Sequence, residues 1–171
     1  MYDVIDTQTT KLGRFEIVLD TIKKGEAEMP YSYVNIKPGV CVIVMVDNKI
    51  LLLSEYRHAI KDMCYEFPCG MIDYGENPTE AAIREVKEET GFEIEDIVNL
   101  VYTYPSFGST TEKIYLFFAR CTKQSERKLD ALEEISWSLV PVDEIDRMVK
   151  DNEIVCGAAT TAWGKWRMLL P

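Results

Sequence analysis

GMIDYGENPTEAAIREVKEETGF, residues 70–92, is the stretch from which the rest of the chain is interpreted. It contains Glu85, Glu88 and Glu89, whose spacing places all three on one face of a predicted helix. Like charges on one face repel each other, so an ordinary surface helix gains nothing from this arrangement. Mg²⁺ and Mn²⁺ prefer oxygen ligands, and the pattern therefore predicts a site for a hard divalent cation.

The same stretch carries start and stop signals for the helix. Asn77 is the predicted N-cap, Pro78 suits the first helical position, and Glu80 would complete a capping box. Gly91 follows the last turn as a predicted left-handed cap, with Phe92 packing back on the helix. The stretch therefore predicts a loop, a helix with an open carboxylate face, and a cap.

This stretch resembles the signature box of the Nudix hydrolases, G-x5-E-x7-R-E-U-x-E-E-x-G-U, where U is a bulky aliphatic or aromatic residue. Every defined position is matched, by Gly70, Glu76, Arg84, Glu85, Val86, Glu88, Glu89, Gly91 and Phe92. The resemblance implies an α+β fold, an α/β/α sandwich with a mixed β-sheet. In that fold the box helix opens its acidic face into a cleft.

The resemblance also implies roles for residues of the box. Glu85 and Glu89 match the usual direct metal ligands, with Glu88 close behind, and the backbone carbonyl before the box glycine, that of Cys69, often joins them. Arg84 is expected to orient Glu85 or Glu88 rather than to touch substrate. With Mg²⁺, or Mn²⁺ in its place, these residues would hydrolyse a phosphoanhydride, and a nearby carboxylate would accept the proton of the attacking water.

Three segments outside the box resemble the ADP-ribose pyrophosphatase branch of the family. They are E-Y-R, ending at Arg57; E-F-P-C-G, beginning at Glu66; and S-F-G-S-T-T-E, ending at Glu112. Arg57, Glu66 and Glu112 are therefore predicted to bind substrate. For Arg57, the structural alternative is an ion pair with an acidic neighbour. Phe107 stands where that branch carries proline, a departure that bears on the substrate and not on the chemistry.

Two further candidates lie outside these segments. The resembling group often supplies a carboxylate just before a late strand, and Glu133 stands in that place as a predicted base or extra metal ligand. Tyr31 offers an aromatic face on which a base could stack. The structural alternatives are a solvated charge for Glu133 and a core or dimer contact for Tyr31.

The leading functional interpretation is Mg²⁺-dependent hydrolysis of a nucleoside diphosphate linked to another moiety. ADP-ribose is the first candidate substrate, with AMP and ribose 5-phosphate as products. A GDP-mannose or other nucleotide-sugar pyrophosphatase is the enzyme alternative. The alternative of a different class is a regulator that binds a nucleotide sugar without cleaving it, and the intact acidic face argues against that alternative.

Composition narrows the classes of partner and compartment. The formal net charge of −10 argues against sequence-independent binding to nucleic acid, which needs a basic surface. Five cysteines without a C-x-x-C pair predict reduced thiols in the cytoplasm. The longest apolar run, residues 40–46, is too short to span a membrane, and we expect neither a leader nor a membrane partner.

The order of the predicted elements is strands, one long helix, more strands, and helices at the end. Strands are predicted over residues 15–22, 31–36, 40–46, 49–54, 97–104, 113–121 and 133–139, and later helices over 141–150 and 157–170. Residues 1–10 are expected to be poorly ordered, and residues 122–130 to form a mobile loop. Residues 1–38 are interpreted as an N-terminal β-hairpin region, which the resemblance connects with a homodimer. Residues 39–171 are interpreted as the hydrolase domain.

Overall fold

The computed structural model describes residues 1–129 and 134–170, which form two compact units. The first unit contains Met1–Pro38 and Tyr104–Lys113. The second contains Gly39–Thr103 and the described residues from Ile114 onward. None of the described helices is long and apolar enough to cross a lipid bilayer.

The first unit is built on an antiparallel sheet of β1 (Asp3–Leu12), β2 (Phe15–Lys24) and β3 (Ala27–Asn35), in that order. The predicted N-terminal hairpin is confirmed as β2 and β3. The expectation that the first ten residues are poorly ordered is wrong, because most of them belong to β1. All ten residues of β1 are exposed, so the strand lacks the buried alternating face that reveals a strand in a sequence.

The segment 104–113 is attached to β3 within this unit. The amide of Val34 donates to the carbonyl of Ser109 at 2.9 Å, and the amide of Thr111 donates to the carbonyl of Val34 at 3.0 Å. A parallel bridge joins Val34 and Thr110. The loop that resembles a substrate-binding segment is therefore held by backbone hydrogen bonds.

The second unit is built on a mixed sheet. Its strands are β4 (Gly39–Val46), β5 (Lys49–Arg57), β6 (Asp62–Glu66), β7 (Cys69–Met71), β8 (Phe92–Thr103), β9 (Ile114–Gln124) and β10 (Ile135–Pro141). Their order is β10-β5-β4-β9-β8, with β6 paired to β5 and β7 paired to β4. Strands β4 and β9 are parallel, whereas the other paired strands of the described chain are antiparallel. The predicted mixed sheet is confirmed.

Strands β4 and β5 are joined by the two-residue turn that the sequence predicts. Asp47 and Asn48 have φ values of 47° and 62°, which are the left-handed values that such tight hairpins require. Val46 faces Lys49 across the turn. This hairpin forms the centre of the sheet.

Helices cover both faces of this sheet. They are α1 (Pro78–Thr90), α2 (Val142–Lys150) and α3 (Gly157–Leu169). On one face the sheet packs with α1, through Val40, Val42, Val44, Ala82 and Val86. On the other face it packs with α2 and α3, through Ile43, Leu52, Ile145, Trp163 and Trp166. The α/β/α arrangement expected from the sequence is confirmed.

The ends of α1 follow the predicted local signals. The side chain of Asn77 accepts hydrogen bonds from the amides of Thr79 and Glu80, and the Glu80 side chain accepts from the amide of Asn77 at 2.9 Å. Gly91 ends the helix with a φ of 78°. Because its ends are fixed and its apolar side is buried, α1 presents its carboxylate face in one orientation.

The predicted loop over residues 122–130 is wrong for residues 122–124, which belong to β9, and its last residue lies outside the described residues. β9 continues to Gln124, and residues 124–128, which we call the strap, are hydrogen-bonded to the end of α1. The amide of Ser125 donates to the carbonyl of Gly91 at 2.7 Å, and the amide of Lys128 donates to the carbonyl of Glu88 at 2.8 Å. These partners are distant in sequence, so local composition could not reveal them.

Candidate active site

Two carboxylates of α1 meet strand β7. The amide of Cys69 donates to Oε2 of Glu89 at 3.3 Å. One helical turn earlier, the carboxylate of Glu85 lies against Gly70. A Cβ atom at residue 70 would approach three atoms of that carboxylate far more closely than the 3.0 Å limit of real Cβ contacts. Glycine is therefore required at residue 70 for Glu85 to occupy this position.

Strand β7 is held close to β4 by a second glycine. A Cβ atom at Gly39 would lie 2.8 Å from the carbonyl oxygen of Gly70, which is too close for any other residue. In the antiparallel pair, Gly39 lies opposite Met71 and Cys41 opposite Cys69. The backbone of β7 is thus fixed between the central strand of the sheet and the carboxylates of α1.

Arg84 connects the carboxylates of the box. Its Nε and Nη2 donate to the two carboxylate oxygens of Glu76, each at 2.9 Å, and Nη2 also donates to the carbonyl of Met71 at 2.9 Å. Its Nη1 donates to Oε1 of Glu85 at 2.8 Å and to Oε2 of Glu88 at 3.0 Å. The contact of Arg84 with Glu85 and Glu88 that the sequence predicts is therefore present.

The pair of Arg84 and Glu76 remains ionised at neutral pH. The hydrogen bond from Arg84 lowers the pKa of Glu76, and the amide of Asp73 contributes in the same direction. The bond to Glu76 likewise raises the pKa of Arg84, with further contributions from Glu85 and Glu88. A fully charged, two-point pair of this kind sets the direction of the guanidinium group and hence of the carboxylates bonded to it.

Arg57 and Glu66, both predicted to bind substrate, form an ion pair. Nε of Arg57 donates to Oε1 of Glu66 at 2.7 Å, and its Nη2 lies 3.1 Å from Oε2 of Glu55. The ion pair that the sequence left open as an alternative for Arg57 is what the structure contains. Glu66 is buried, whereas the side chain of Arg57 is 40% exposed. The side chain of Arg57 is therefore partly accessible to a ligand.

The thiol of Cys69 links this pair to the box, a contact that sequence reasoning missed. Nη2 of Arg57 donates to Sγ at 3.5 Å, and the thiol donates to Oε2 of Glu66 at 3.5 Å. Burial raises the pKa of the Cys69 thiol well above its ordinary value, and the carboxylates of Glu66 and Glu89 raise it further. The thiol therefore remains protonated and acts as a neutral bridge. In the sequence, the only indication of this contact was the position of Cys69 between Glu66 and the box glycine.

The structure brings most of the predicted site residues into one chain of contacts within the second unit. They are Arg57, Glu66, Cys69, Arg84, Glu85, Glu88 and Glu89. Tyr31 and Glu112 belong to the first unit, where the Tyr31 hydroxyl donates to the carbonyl of Gly108 at 3.1 Å and the Glu112 amide to Oγ1 of Thr110 at 3.3 Å. Glu133 lies outside the described residues.

The chemistry of these groups suits a hard divalent cation. Within residues 1–129 and 134–170, no three His, Cys, Asp or Glu side chains are already arranged as a set of metal ligands. Instead, Arg84 is the counter-charge of Glu85 and Glu88. The connected site residues nevertheless include more carboxylates than guanidinium groups, and one of these carboxylates, Glu89, is buried. Carboxylate oxygens with excess negative charge are the ligands that Mg²⁺ and Mn²⁺ prefer.

Comparison with known proteins agrees with this geometry. Residues 35–156 match the NUDIX domain family, whose hydrolases generally use divalent metal ions. The chain is 31% identical over 121 residues to the methanol dehydrogenase activator of Bacillus methanolicus. It is 26% identical over 121 residues to the ADP-ribose pyrophosphatase of Bacillus subtilis (strain 168). Each match covers 68% of this chain and 65% of the relative, so about a third of each relative lies outside the match.

Two further comparisons concern a distant relative and a solved structure. The chain is 33% identical over 84 residues to the ADP-sugar pyrophosphatase of Mus musculus. This match covers 49% of this chain and 37% of the mouse protein. A crystal structure of an ADP compounds hydrolase superposes with a TM-score of 0.89 at 21% sequence identity, over 98% of this chain and 92% of that chain. The superposition shows that the two proteins share a fold.

Proposed function

The chain belongs to the Nudix family, and we propose that it hydrolyses the pyrophosphate bond of a nucleoside diphosphate linked to another moiety, most specifically ADP-ribose. The observation that carries the proposal is the position of Glu85 and Glu89 on successive turns of α1, both against strand β7. The similarity to an ADP-ribose pyrophosphatase and an ADP-sugar pyrophosphatase supports the choice of an ADP-linked substrate.

In this proposal Glu85, Glu89 and the carbonyl of Cys69 hold Mg²⁺, with Mn²⁺ able to replace it. A divalent cation offsets phosphate charge and lowers the pKa of a coordinated water when it is bound. Nη1 of Arg84 donates to both Glu85 and Glu88, so this one nitrogen holds the two carboxylates near each other. The Glu88 side chain is 42% exposed, and we assign it as the proton acceptor among the described residues. The alternative acceptor expected from the sequence is Glu133.

Substrate recognition is proposed for Arg57, Glu66, Tyr31 and Glu112. Arg57 is held by Glu66 at 2.7 Å and is partly accessible, so it can bind a phosphate oxygen without leaving its partner. Glu66 would act through Arg57 and not by touching substrate. Tyr31 and Glu112 are proposed to contact the base or sugar. Arg57→Lys keeps the charge but loses the fork, so we expect it to raise KM for the nucleotide while kcat changes less.

The experiment that tests the proposal is a substrate panel with the purified protein. ADP-ribose, ADP-glucose and GDP-mannose are incubated with Mg²⁺ or Mn²⁺, and the products are separated by chromatography. We expect AMP and ribose 5-phosphate from ADP-ribose, and no turnover in EDTA. A faster reaction with GDP-mannose would replace the substrate assignment, and a folded protein that cleaves none of the compounds would refute the hydrolase assignment.

Glu89→Gln separates a chemical role of this carboxylate from a structural one. The amide keeps the size of the side chain and can still accept the hydrogen bond of the Cys69 amide. We expect kcat to fall by about 10²-fold or more, with the melting temperature nearly unchanged. Glu93→Gln is the matched control, because Glu93 is a half-exposed carboxylate just beyond α1 that pairs with Lys87. Unchanged turnover in Glu89→Gln would remove Glu89 from its assigned role.

A second candidate function is regulation of another enzyme. It is favoured by the 31% identical relative, which is named a methanol dehydrogenase activator. The test measures the rate of a methanol dehydrogenase with and without this protein, for both the wild type and Glu89→Gln. Activation that persists in a Glu89→Gln variant unable to hydrolyse nucleotides would favour a regulatory binding function over hydrolysis.

We also propose that residues 1–38 mediate a homodimer in the cytoplasm. All ten residues of β1 are exposed, and the neighbouring β2 exposes Ile17 and Leu19 by about 40% each. Exposed apolar residues on a sheet are typical of a surface that another chain covers. The five free thiols agree with a reducing compartment. Light scattering should give twice the monomer mass for the wild type, and Leu19→Asp should shift it toward the monomer.

A further inference from the structure

An open cleft of about 470 Å³ lies beside the carboxylate face, where the strap meets α1. Its lining residues are Arg84, Lys87, Glu88, Glu126, Arg127 and Lys128. Four of the six side chains are cationic, although the whole chain has a formal net charge of −10. With the carboxylates of Glu88 and Glu126 counted, four positive and two negative side chains give the lining a net charge of +2 on an acidic protein. The cleft shares Arg84 and Glu88 with the candidate active site.

Two of the four cations are already neutralised by carboxylates. Arg84 bonds the carboxylates of the box, and Lys87 pairs with Glu93 at 3.2 Å. Arg127 and Lys128 form no ion pair with any other described residue. Toward the described residues, Arg127 donates only through Nη1, to the carbonyl of Ile135 at 2.9 Å. Within residues 1–129 and 134–170, most of its donors and all three of the Lys128 ammonium group thus have no protein acceptor.

Basic residues near the last turn of a helix often serve only to satisfy its final carbonyls. Here three carbonyls at the helix end have other partners. The amide of Lys128 donates to the carbonyl of Glu88, Nε2 of Gln124 donates to that of Thr90 at 3.1 Å, and the amide of Ser125 donates to that of Gly91. These three carbonyls are therefore satisfied without the charged groups of Arg127 and Lys128.

The strap holds the backbone of these two residues before a ligand arrives. The carbonyl oxygen of Ser125 occupies the space where any Cβ atom at Gly91 would lie, so the strap sits directly on the helix cap. The guanidinium group of Arg127 is further fixed by its bond to Ile135. A guanidinium group that is already positioned loses less conformational entropy when it binds an anion.

We propose that this cleft is an anion subsite that takes a phosphate group after the pyrophosphate has been cleaved. Arg127 would supply paired N–H donors to two phosphate oxygens, and Lys128 a compact charge beside them. The proposal deepens the proposed function and rests on it for its use, because hydrolysis leaves one of the two pyrophosphate groups on ribose 5-phosphate, a product that would bind here. The shared chemistry of the ligand is a phosphate dianion, either free or carried on a sugar.

The test is a calorimetric titration of orthophosphate, and separately of ribose 5-phosphate, into the full chain. EDTA is present so that no divalent cation on the carboxylate face can bind phosphate. Arg127→Ala and Lys128→Ala should each weaken binding by about tenfold. Lys128→Arg should keep most of the affinity. Lys123→Ala is the matched control, since Lys123 is an exposed lysine of β9 outside the cleft, and its affinity should equal that of the wild type.

Tighter binding of ribose 5-phosphate than of orthophosphate would identify the sugar phosphate as the ligand, and equal binding would identify the free ion. Wild-type affinity in both alanine variants, or no measurable binding of either anion to the wild type, would overturn the subsite. The hydrolase assay decides the proposed function separately. A protein that cleaves ADP-ribose but shows no Arg127-dependent phosphate binding keeps the function and loses the subsite, whereas the reverse result keeps the subsite alone.

Discussion

Replacing Gly70 with alanine should reduce turnover strongly while leaving the protein folded. The new Cβ atom would lie well inside the 3.0 Å limit for three atoms of the Glu85 carboxylate, whereas ordinary contact begins at 3.4 Å. The carboxylate must therefore retreat by roughly 1 Å, and a misplacement of that size in a catalytic group costs about 10²-fold in rate. We expect kcat/KM for ADP-ribose to fall about a hundredfold, which is about 2.7 kcal/mol of transition-state stabilisation.

The effect of this substitution on stability should be much smaller. The atoms that the Cβ would meet are the end of a flexible glutamate side chain, which can rotate away, and not backbone. The free energy of unfolding should therefore fall by at most about 1 kcal/mol, at the low end of the usual cost of overpacking. Urea unfolding measures this change in the free energy of unfolding. Electron paramagnetic resonance of Mn²⁺ measures metal binding, and it reports the loss of a metal ligand independently of turnover.

Gly164→Ala in α3 is the matched control for Gly70→Ala. A Cβ atom at Gly164 would have no neighbour within 4 Å, and alanine favours a helix, so turnover should be unchanged and stability equal or slightly higher. A folded Gly70→Ala protein with full turnover and full Mn²⁺ affinity would refute the reasoning, since Glu85 would then have no need of its position against β7.

Three further predictions concern the helix that carries the carboxylates. Arg84→Met removes the bond that lowers the pKa of Glu76. The stabilisation from that pair is present above the ordinary carboxyl pKa of 4.5 and is lost as pH falls through the lower folded value. Acid unfolding of the variant, followed by circular dichroism, should therefore begin at a higher pH than in the wild type. Gly91→Ala should lower the free energy of unfolding by about 2 kcal/mol or more, because its φ of 78° disfavours alanine and the Cβ would collide with a strap carbonyl. Gly75→Ala, with a φ of 85° but open space, should cost only about 1 kcal/mol, and equal losses in both variants would exclude the collision. Asn77→Ala should cost about 1 kcal/mol in urea unfolding through loss of the capping box, and an unchanged midpoint would contradict this.

The box could be interpreted in advance because its signals are local. The capping box of Asn77 and Glu80 and the left-handed Gly91 depend on residues within one or two turns, and all are present. The mixed sheet followed from the order of the apolar runs. The errors lie where the partner is distant or absent. β1 has no buried face, and the strap donates hydrogen bonds to carbonyls at a helix end more than thirty residues earlier.

The candidate site shows the same division. The contact of Arg84 with Glu88 has the i,i+4 spacing of a helix and was predictable. The pairing of Arg57 with Glu66 depends on β5 and β6 lying side by side, and the approach of Glu85 to Gly70 depends on how α1 packs on β7. The thiol of Cys69 bridges Arg57 and Glu66 only because β5 pairs with β6 and α1 packs on β7. Neither condition can be inferred from the sequence around Cys69, which indicated only a small buried residue.

The sequence by itself predicted a site for a hard divalent cation, because crowded carboxylates on one helical face are a matter of residue type and a 3.6-residue period. It also determined the start and end of that helix. Only the tertiary structure decided what the carboxylates face, which cation neutralises them and where Arg127 and Lys128 are placed. The physical reason is that a guanidinium, an amide or a carbonyl can bind many equivalent partners, and chain packing alone selects the one within 3 Å.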